Sequence, residues 1–303
     1  MIDITIPKTA GLCLVRDAID IVPMLCGHYL RLGFERIHFI DDGSSDGTYE
    51  FLDRLSKKTG RVTLERSLGP LKHRLTVTRA ANTLVEDGFR TIFPFDADEF
   101  WNLRISDLRH VAETRKARII EGYWVNFVQS RKREYPCPMG LFSVRHRADP
   151  APGVDMEDVV AFRQPFVAID RVKKIAFWTE APVEIVLGQH GLHGGPTETD
   201  KCIFELFHLP LRYRSELTKR ALNYEPRRAS TRSNPTMSWQ SQFHHQIVLD
   251  GKSEAVWLAN IVDRKGRLDV YGTRKQLSRD VRLRNLMLLS AFYLLRRFRI
   301  LAI

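Results

Sequence analysis

The sequence predicts an α/β fold built around a mainly parallel, Rossmann-like sheet with helices on its faces. The first observation is that short apolar runs alternate with segments of helical spacing through the first part of the chain. The second is that these runs are rich in branched and aromatic side chains and end in turn-forming residues. Strand and helix in alternation are typical of parallel strands joined by right-handed crossovers.

The alternation can be followed element by element. Strands and helices are predicted in turn at residues 12–15, 19–30, 36–40, 48–58, 62–64, 75–88 and 90–95. Gly33 and Gly88 act as stop signals for two of the helices. A dense run of turn-forming residues at 41–47 separates the second strand from the helix that follows it.

Beyond residue 101 the pattern changes. Further helices and strands are predicted at residues 106–116, 119–128, 172–186, 203–209 and 214–222. Residues 130–165 have weak periodicity and predict an extended loop region, and residues 188–196 form a glycine-rich loop. The rest of the chain is basic and predicts a mostly helical segment. We therefore predict a first domain at 1–222 and a basic C-terminal extension at 223–303.

The composition is that of a globular protein with an excess of positive charge. The 303 residues carry a formal net charge of +11, which predicts an anionic partner such as a nucleoside diphosphate, an anionic lipid or a nucleic acid. Nucleic acid is not expected, because no zinc-finger spacing or ribonucleoprotein motif accompanies the charge. Four scattered cysteines without a Cys-x-x-Cys pair argue against a disulfide framework or a zinc site. The chain shows no signal-peptide pattern and no apolar run of about 20 residues, which predicts a cytoplasmic protein.

Acidic residues follow three of the predicted strands. Asp17 comes after the first strand, Asp41 and Asp42 after the second, and Asp96 and Asp98 after the fourth. The carboxyl ends of parallel strands share one edge of the sheet, where open α/β sheets bind ligands. The two aspartates of the Asp-x-Asp motif would offer hard oxygen ligands to a divalent cation that carries a diphosphate. The alternative is that these residues only form turns and cap the following helices.

Three segments together resemble the family-2 type glycosyltransferases with a GT-A fold. They are RDAIDIVPMLCGHYLRLGFERIHFIDDGSSDGTYEFLDRL at residues 16–55, FPFDADEFW at 93–101 and FHLPLRYRSELTKRA at 207–221. The resemblance implies a GT-A-like catalytic domain over 1–222 and says nothing about residues 223–303. It implies a nucleotide-sugar donor, usually a UDP-sugar, and a divalent metal, Mn²⁺ or Mg²⁺.

The resemblance also implies roles for the residues that match the metal motif. Asp96 and Asp98 match the Asp-x-Asp positions that bind the metal and the donor, and His208 matches a late histidine that completes the metal shell. The charge of the metal would offset the negative charge that develops on the departing diphosphate. Asp98 is therefore predicted to be both a metal ligand and a catalytic residue.

A nucleoside-binding group is implied at the first two strand ends. Asp41 and Asp42 match carboxylates that contact the uridine or ribose, and Arg16 and Asp17 match the strand end near the uracil. The chain departs from the family pattern at Ala18, where an acidic residue is usual, so the contact to the base is the part of the pattern that differs. Capping of the next helix by the turn at 41–47 is compatible with these roles.

A catalytic base is sought among carboxylates in the loop region. The resemblance implies transfer with inversion through an oxocarbenium-like centre, so one carboxylate should deprotonate the acceptor hydroxyl. Asp155, Glu157 and Asp158 are the candidates, and we choose Asp158; ordinary surface charge is the alternative for each. The acceptor would be a hydroxyl of a glycan or of a lipid-linked sugar.

Three further residues could support the predicted site. Glu99 lies next to the metal motif in the sequence, and Lys173 and Lys174 carry positive charge. Glu99 could orient a metal ligand or bond to the loop backbone. Lys173 and Lys174 could screen the diphosphate or could simply be solvated.

The segment at 282–299 admits three interpretations. Its apolar run at 286–295 is flanked by arginines and is about half the length that spans a bilayer. It could lie in the interface at the inner face of a membrane, pack on the catalytic domain, or form a dimer contact.

Two other functions stay open at this point. Nucleotidyl or phosphoryl transfer also uses paired aspartates, a metal and a parallel sheet, although the chain lacks a Walker-type phosphate loop. A non-catalytic sugar-binding or membrane-binding module of the same fold would bind the donor without transferring its sugar.

Overall fold

The protein is described from a computed structural model. The structure describes residues 6–67, 73–114, 119–130, 135–149, 153–154, 156–169, 172–193, 201–222 and 239–300.

Strands and helices alternate through the first part of the chain, as predicted. The strands of the described residues are β1 (Ile6–Val15), β2 (Phe34–Asp41), β3 (Val62–Arg66), β4 (Thr91–Asp96), β5 (Glu99–Trp101), β6 (Ile119–Val128), β7 (His146–Arg147), β8 (Lys173–Trp178), β9 (Glu184–Ile185), β10 (Leu192–His193), β11 (Lys201–His208), β12 (Arg267–Val270), β13 (Thr273–Gln276) and β14 (Ser278–Arg279). The helices are α1 (Val22–Arg31), α2 (Thr48–Thr59), α3 (His73–Glu86), α4 (Ile105–Thr114), α5 (Pro138–Leu141), α6 (Met156–Val160), α7 (Ser215–Leu222), α8 (Trp239–Leu249), α9 (Ser253–Ala259) and α10 (Arg282–Phe298).

The chain forms two compact units. The first consists of Met1–Trp124, Lys173–Phe207 and Leu286–Ile303, and the second of Val125–Val172 and His208–Asn285. The domain boundary predicted after residue 222 adjoins residues outside those described and stays a prediction.

The first unit contains a parallel sheet, which confirms the predicted α/β class. Its parallel strands lie in the order β3-β2-β1-β4. In the register of this sheet, Val15 pairs with Asp41 on one side, and Leu14 pairs with Asp96 on the other. The carboxyl ends of three strands are therefore level with one another.

The sheet of the first unit continues beyond β4 with antiparallel strands. β8 pairs antiparallel with β4 and with the first half of β6. The sheet is thus mixed at this end, and the antiparallel direction of β8 was not predicted. The reason is that the direction of a strand depends on its partners, which a periodic pattern does not reveal.

Side chains alternate between two apolar layers on the faces of this sheet, as the pleat of a strand requires. On one face Ile92 packs with residues of α3, including Ala81 and Leu84. On the other face Phe95 stacks on Tyr29 of α1 with ring centroids 4.1 Å apart. Phe93 packs edge-on against Phe34 with ring centroids 5.1 Å apart. The two layers fix β4, and with it the start of the acidic turn.

The second unit has a helical core and short strands. Buried residues of α7, α8 and α9 form one apolar cluster, which includes Leu217, Ile247 and Trp257. β12 and β13 form an antiparallel hairpin. Residues 130–165, predicted as an extended loop region, contain the short elements α5, β7 and α6 where they are described. These are too short to leave a periodic signal in the sequence.

Candidate active site at the carboxyl edge of the parallel sheet

The acidic turn after β4 places three carboxylates within four residues of sequence. β4 is buried up to Phe95, and Asp96 is half-exposed at its end. Ala97 and Asp98 form the turn, and Asp98 and Glu99 are buried. The turn thus presents Asp96 at the sheet edge and carries two further carboxylates into the interior.

A buried lysine pairs with this cluster. The Nζ atom of Lys174 lies 2.7 Å from Asp96 Oδ2 and 3.6 Å from Glu99 Oε1. The Lys174 side chain is only 4% exposed. Burial lowers the pKa of its ammonium group, but the negative charges of Asp96 and Glu99 outweigh that effect and raise the pKa above its usual value. Lys174 is therefore a fixed positive charge, and the interpretation as a solvated lysine is wrong.

The buried carboxylate of Glu99 stabilises the turn through hydrogen bonds. Its Oε2 accepts a hydrogen bond from the backbone N–H of Asp96 at 2.9 Å, and its Oε1 accepts one from Trp124 Nε1 at 2.7 Å. The predicted bond to the loop backbone is thus present. Burial raises the pKa of Glu99 to about 8, Lys174 opposes this, and the charges of Asp96 and Asp98 add to it.

The first two strand ends meet at the same edge of the sheet. Arg16, which follows β1, has its Nη1 atom 3.5 Å from Asp42 Oδ2. The backbone N–H of Asp42 donates to Val15 O at 2.8 Å. Arg16 is half-buried and Asp42 is almost completely buried. The structure therefore brings Arg16 and Asp42 together, as the predicted nucleoside-binding group requires.

Asp41 is completely buried at the end of β2. Its Oδ2 accepts the backbone N–H of Ser44 at 3.1 Å and lies 3.5 Å from Arg66 Nε. Its Oδ1 is buried and finds no hydrogen-bond partner among the described residues. An unsatisfied carboxylate oxygen in the interior is costly, and a ribose hydroxyl is a group that would satisfy it.

Asp17 and Asp46 hold the turn between β2 and α2. Asp17 adopts a left-handed backbone with φ 47°, and its Oδ1 accepts the backbone N–H of Ser45 at 2.8 Å. Asp46 Oδ1 accepts the N–H of Thr48, the first residue of α2, at 3.0 Å. The N-cap residue of α2 is Gly47, which has no side chain to cap the helix, so the first helical N–H is satisfied by Asp46, the residue before it. Asp17 has a turn-forming role beside its predicted place near the base.

His208 ends β11, and its ring orientation follows from the hydrogen bonds of Asn126. The Nδ2 group of Asn126 donates to Val167 O at 3.0 Å, which turns its Oδ1 towards His208 Nδ1 at 2.7 Å. The imidazole must then donate from Nδ1, so Nε2 is the nitrogen whose lone pair suits a metal. His208 is buried and belongs to the second unit, whereas Asp96 and Asp98 belong to the first.

The predicted base lies in the second unit. Asp158 is in the short helix α6, and its Oδ1 lies 2.7 Å from Arg163 Nε. Glu157 is exposed, and Asp155 lies outside the described residues. The carboxylate of Asp158 is thus engaged by a guanidinium group, and its role as a base stays a prediction.

The donor set at the β4 end fits a divalent cation. Asp96 and Asp98 supply hard carboxylate oxygens, and the single positive charge of Lys174, which pairs with Asp96, offsets only part of their negative charge. Mg²⁺ and similar cations are often held by one or two carboxylates plus substrate phosphates, so a complete protein cage is not required. No group of three or more His, Cys, Asp or Glu side chains arranged to hold a metal occurs among the described residues.

Lys174 is the residue that sequence reasoning placed least well. Lys174 precedes the buried residues 175–177 in β8, and a lysine inside such an apolar strand is the signal that could have revealed its burial. Its partner Asp96 is far away in sequence, and only the pairing of β8 with β4 brings the two together.

Comparisons with known proteins give distant structural likenesses. No protein-family model matches the chain, and no curated protein matches it. It is similar to the mannosyltransferase PcManGT from Pyrobaculum calidifontis, solved with GDP-Man and Mn²⁺, at 13% identity and a TM-score of 0.38. That likeness covers 96% of this chain and 74% of the mannosyltransferase.

A second likeness is to a candidate glucose-1-phosphate thymidylyltransferase from Bacillus anthracis, solved with a sucrose. The identity is 11% and the TM-score 0.28 over 42% of this chain. The chain spans 61% of the length of that protein.

Proposed function

We propose that the protein is a metal-dependent glycosyltransferase that moves a sugar from a nucleoside diphosphate donor, a UDP-sugar, to an acceptor hydroxyl. The observation that carries the proposal is the register of the parallel sheet, in which Val15 pairs with Asp41 and Leu14 with Asp96. This register sets three polar strand ends side by side at the edge where open α/β sheets bind ligands. The sequence resemblance supports a sugar nucleotide as that ligand.

The nucleoside would bind at the ends of β1 and β2. Asp41 has a buried oxygen in need of a donor, and a ribose hydroxyl supplies one. The adjacent pair of Arg16 and Asp42 offers donors and an acceptor to a pyrimidine ring or a ribose. Asp17 accepts the hydrogen bond from Ser45 that holds the turn next to these residues.

The diphosphate would lie at the end of β4. Asp96 and Asp98 would hold Mn²⁺ or Mg²⁺ there. The proposed role of His208 as a metal ligand rests on the sequence resemblance alone. When bound, the metal supplies positive charge that offsets the charge developing on the leaving diphosphate. Lys174 keeps Asp96 in one orientation and would add a fixed positive charge beside the diphosphate.

The transfer needs one proton acceptor. As the bond between the sugar carbon and the diphosphate oxygen breaks, its electron pair leaves with the diphosphate, and the acceptor oxygen forms the new bond from the opposite face. The hydroxyl proton passes to a carboxylate, for which Asp158 remains our candidate. The acceptor is a hydroxyl of a glycan or of a lipid-linked sugar.

A donor screen tests the proposal. The full chain is incubated with UDP-, GDP- and dTDP-sugars, with and without Mn²⁺, and the free nucleoside diphosphate is measured by chromatography. A parallel incubation contains nucleoside triphosphates and sugar phosphates. Mn²⁺-dependent release of UDP from one UDP-sugar, without release of pyrophosphate in the parallel incubation, supports the proposal. Release of pyrophosphate from a triphosphate and a sugar phosphate would instead identify a nucleotidyltransferase. Binding of a UDP-sugar without release in the presence of any acceptor would identify a non-catalytic module.

A further inference from the structure

The C-terminal helix α10 has one face that packs on the first unit. Met287, Ser290 and Leu294 are completely buried along this face. The helix lies so close to α1 that a Cβ atom added at Gly27 would be 2.3 Å from the Ser290 carbonyl oxygen. Packing on the protein, one of the three interpretations of this segment, is therefore observed for this face. It does not explain the opposite face of the helix.

The opposite face of α10 is apolar and exposed. Leu289 and Phe292 are 54% and 59% exposed, and Leu288 and Leu295 are also among the exposed large apolar residues. Spacings of three and four residues place these side chains in one stripe along the helix. We call Leu288, Leu289, Phe292 and Leu295 the apolar stripe. An apolar patch of neighbouring large side chains in contact with water marks an interaction surface.

Positive charge adjoins the apolar stripe. Arg296 follows Phe292 by four residues and Arg299 follows Leu295 by four, and both are exposed. Lys58 of α2 reaches the same end of the helix, where its Nζ donates to Phe298 O at 3.2 Å. Residues 282–299 contain no aspartate or glutamate. The surface therefore combines large apolar side chains with cations and offers no acidic group of its own helix to a partner.

This combination favours an anionic lipid surface over a second copy of the chain. Two copies meeting through the apolar stripe would bring the basic ends of their helices towards each other or towards another part of a strongly positive molecule. Anionic headgroups complement these charges, and interfacial helices place their apolar face at the boundary between headgroups and acyl chains. In the part of the chain that the structure describes, no helix has the length and apolarity needed to cross a bilayer.

We propose that the exposed face of α10 docks the protein on an anionic lipid surface, with the apolar stripe at the acyl boundary and Arg296 and Arg299 at the headgroups. The docking does not depend on sugar transfer, because no residue of the candidate active site takes part in it.

Flotation with vesicles tests the docking. The full chain is mixed with vesicles of phosphatidylcholine alone or of phosphatidylcholine and phosphatidylglycerol in equal parts, at low and high salt. We expect binding to the anionic vesicles only, and weaker binding at high salt because exposed charges are screened. The double variant Leu289→Ser/Phe292→Ser should lose binding. Leu249→Ser alters an exposed leucine of α8 and serves as the matched control.

A charge variant separates the two contributions. Arg296→Gln/Arg299→Gln should weaken binding about fivefold for each arginine removed, since one basic residue near an anionic surface contributes about 1 kcal/mol. Arg274→Gln/Lys275→Gln changes exposed basic residues of β13 and should leave binding unchanged. Circular dichroism of each variant shows whether the helices are intact, and Phe292→Leu should retain binding.

Three outcomes would overturn the proposal. The first is that the wild-type chain does not float with anionic vesicles. The second is that the stripe variant, with its helices intact, floats as well as the Leu249→Ser control. The third is that sedimentation shows a wild-type dimer which the stripe variant breaks while vesicle binding is unaffected, since that would assign the stripe to a second copy.

Discussion

At the scale of single residues, the charge balance at the end of β4 depends on Lys174. Its ammonium group lies 2.7 Å from Asp96 Oδ2 and within reach of Glu99. Lys57 and Asp53 form an ion pair with the same 2.7 Å distance on the surface of α2, where the Lys57 side chain is 74% exposed. The two pairs have the same distance but differ in burial. Substitutions in them therefore show how much burial of the ion pair contributes to the free energy of unfolding.

We expect Lys174→Met to destabilise the protein. Breaking a buried ion pair leaves an uncompensated charge in the interior and costs about 3–5 kcal/mol. Because Asp96 is half-exposed and water screens it, we expect about 2 kcal/mol. Urea denaturation measures the loss, and the control Lys57→Met should leave the free energy of unfolding unchanged. Equal effects of the two substitutions would show that Lys174 is not held in a buried pair.

His28 makes the stability of the protein sensitive to acid. Its Nε2 donates to Trp101 O at 2.9 Å, and its Nδ1 is buried without a hydrogen-bond partner among the described residues. Burial, with a smaller contribution from Arg31, lowers the pKa of His28 from 6.5 to about 3. A proton on Nδ1 would be a buried, unsatisfied donor, so the folded state resists it.

The sign of the pH effect follows from this lowered pKa. Above pH 6.5 neither state protonates His28, and the stability that neutral His28 provides is fully present. Between pH 6.5 and about 3 the unfolded chain binds a proton that the folded protein does not. The free energy of unfolding therefore falls by up to about 1.4 kcal/mol for each unit by which the pH is lowered. His28→Gln, whose amide can still donate to Trp101 O, should flatten this part of the curve. The exposed His193→Gln is the control, and parallel acid curves for wild type and His28→Gln would contradict the account.

The residues show how far sequence reasoning could go. Asp41, Asp42 and Asp96 were placed at one sheet edge because strand ends can be recognised from apolar runs and turns. The partners of these residues could not be predicted, because Lys174 and Asp96 are joined by an antiparallel pairing between distant strands. Asn126 and His208 are likewise far apart in sequence, so the tautomer of the histidine was out of reach.

At the scale of elements, the close approach of α1 and α10 is the most restrictive contact of the C-terminal helix. Gly27→Ala would place a Cβ atom 2.3 Å from the Ser290 carbonyl oxygen, which is backbone and cannot rotate away. Alanine favours an isolated helix over glycine by about 1 kcal/mol, but overpacking costs about 1–3 kcal/mol. We therefore expect a net loss of stability, measured by thermal denaturation. Gly191→Ala meets only an ordinary 3.6 Å contact with Val186 and should be tolerated; a stabilised Gly27→Ala variant would show that the helices do not touch here.

The same contact explains why the C-terminal segment was ambiguous in sequence. Its apolar residues occur on both faces of the helix, and periodicity does not distinguish a face that packs on protein from one that meets lipid. Gly27, which permits the packing, lies in a different part of the chain and has no local signature of that role. The element itself was predictable, and its partner was not.

At the scale of the whole molecule, the chain combines an acidic cluster with a net charge of +11. Asp41, Asp42 and Asp96 lie at strand ends at one edge of the parallel sheet, and exposed arginines follow the apolar stripe of α10. A diphosphate with its metal suits the first surface, and an anionic membrane suits the second. The two proposals can therefore be tested separately on the same protein.

The central claim is that the acidic turn after β4 binds a metal together with a nucleoside diphosphate. Isothermal titration of UDP, with and without Mn²⁺, measures this directly in the wild-type chain, in Asp98→Asn and in the control Asp53→Asn, which changes a half-exposed carboxylate of α2. Two ligands that share a site are coupled, so Mn²⁺ should strengthen UDP binding by about tenfold or more in wild type and in Asp53→Asn. In Asp98→Asn the strengthening should disappear while the melting curve stays close to that of wild type. Equal UDP affinity with and without Mn²⁺ in the wild-type chain, or an undiminished Mn²⁺ effect in Asp98→Asn, would contradict the account.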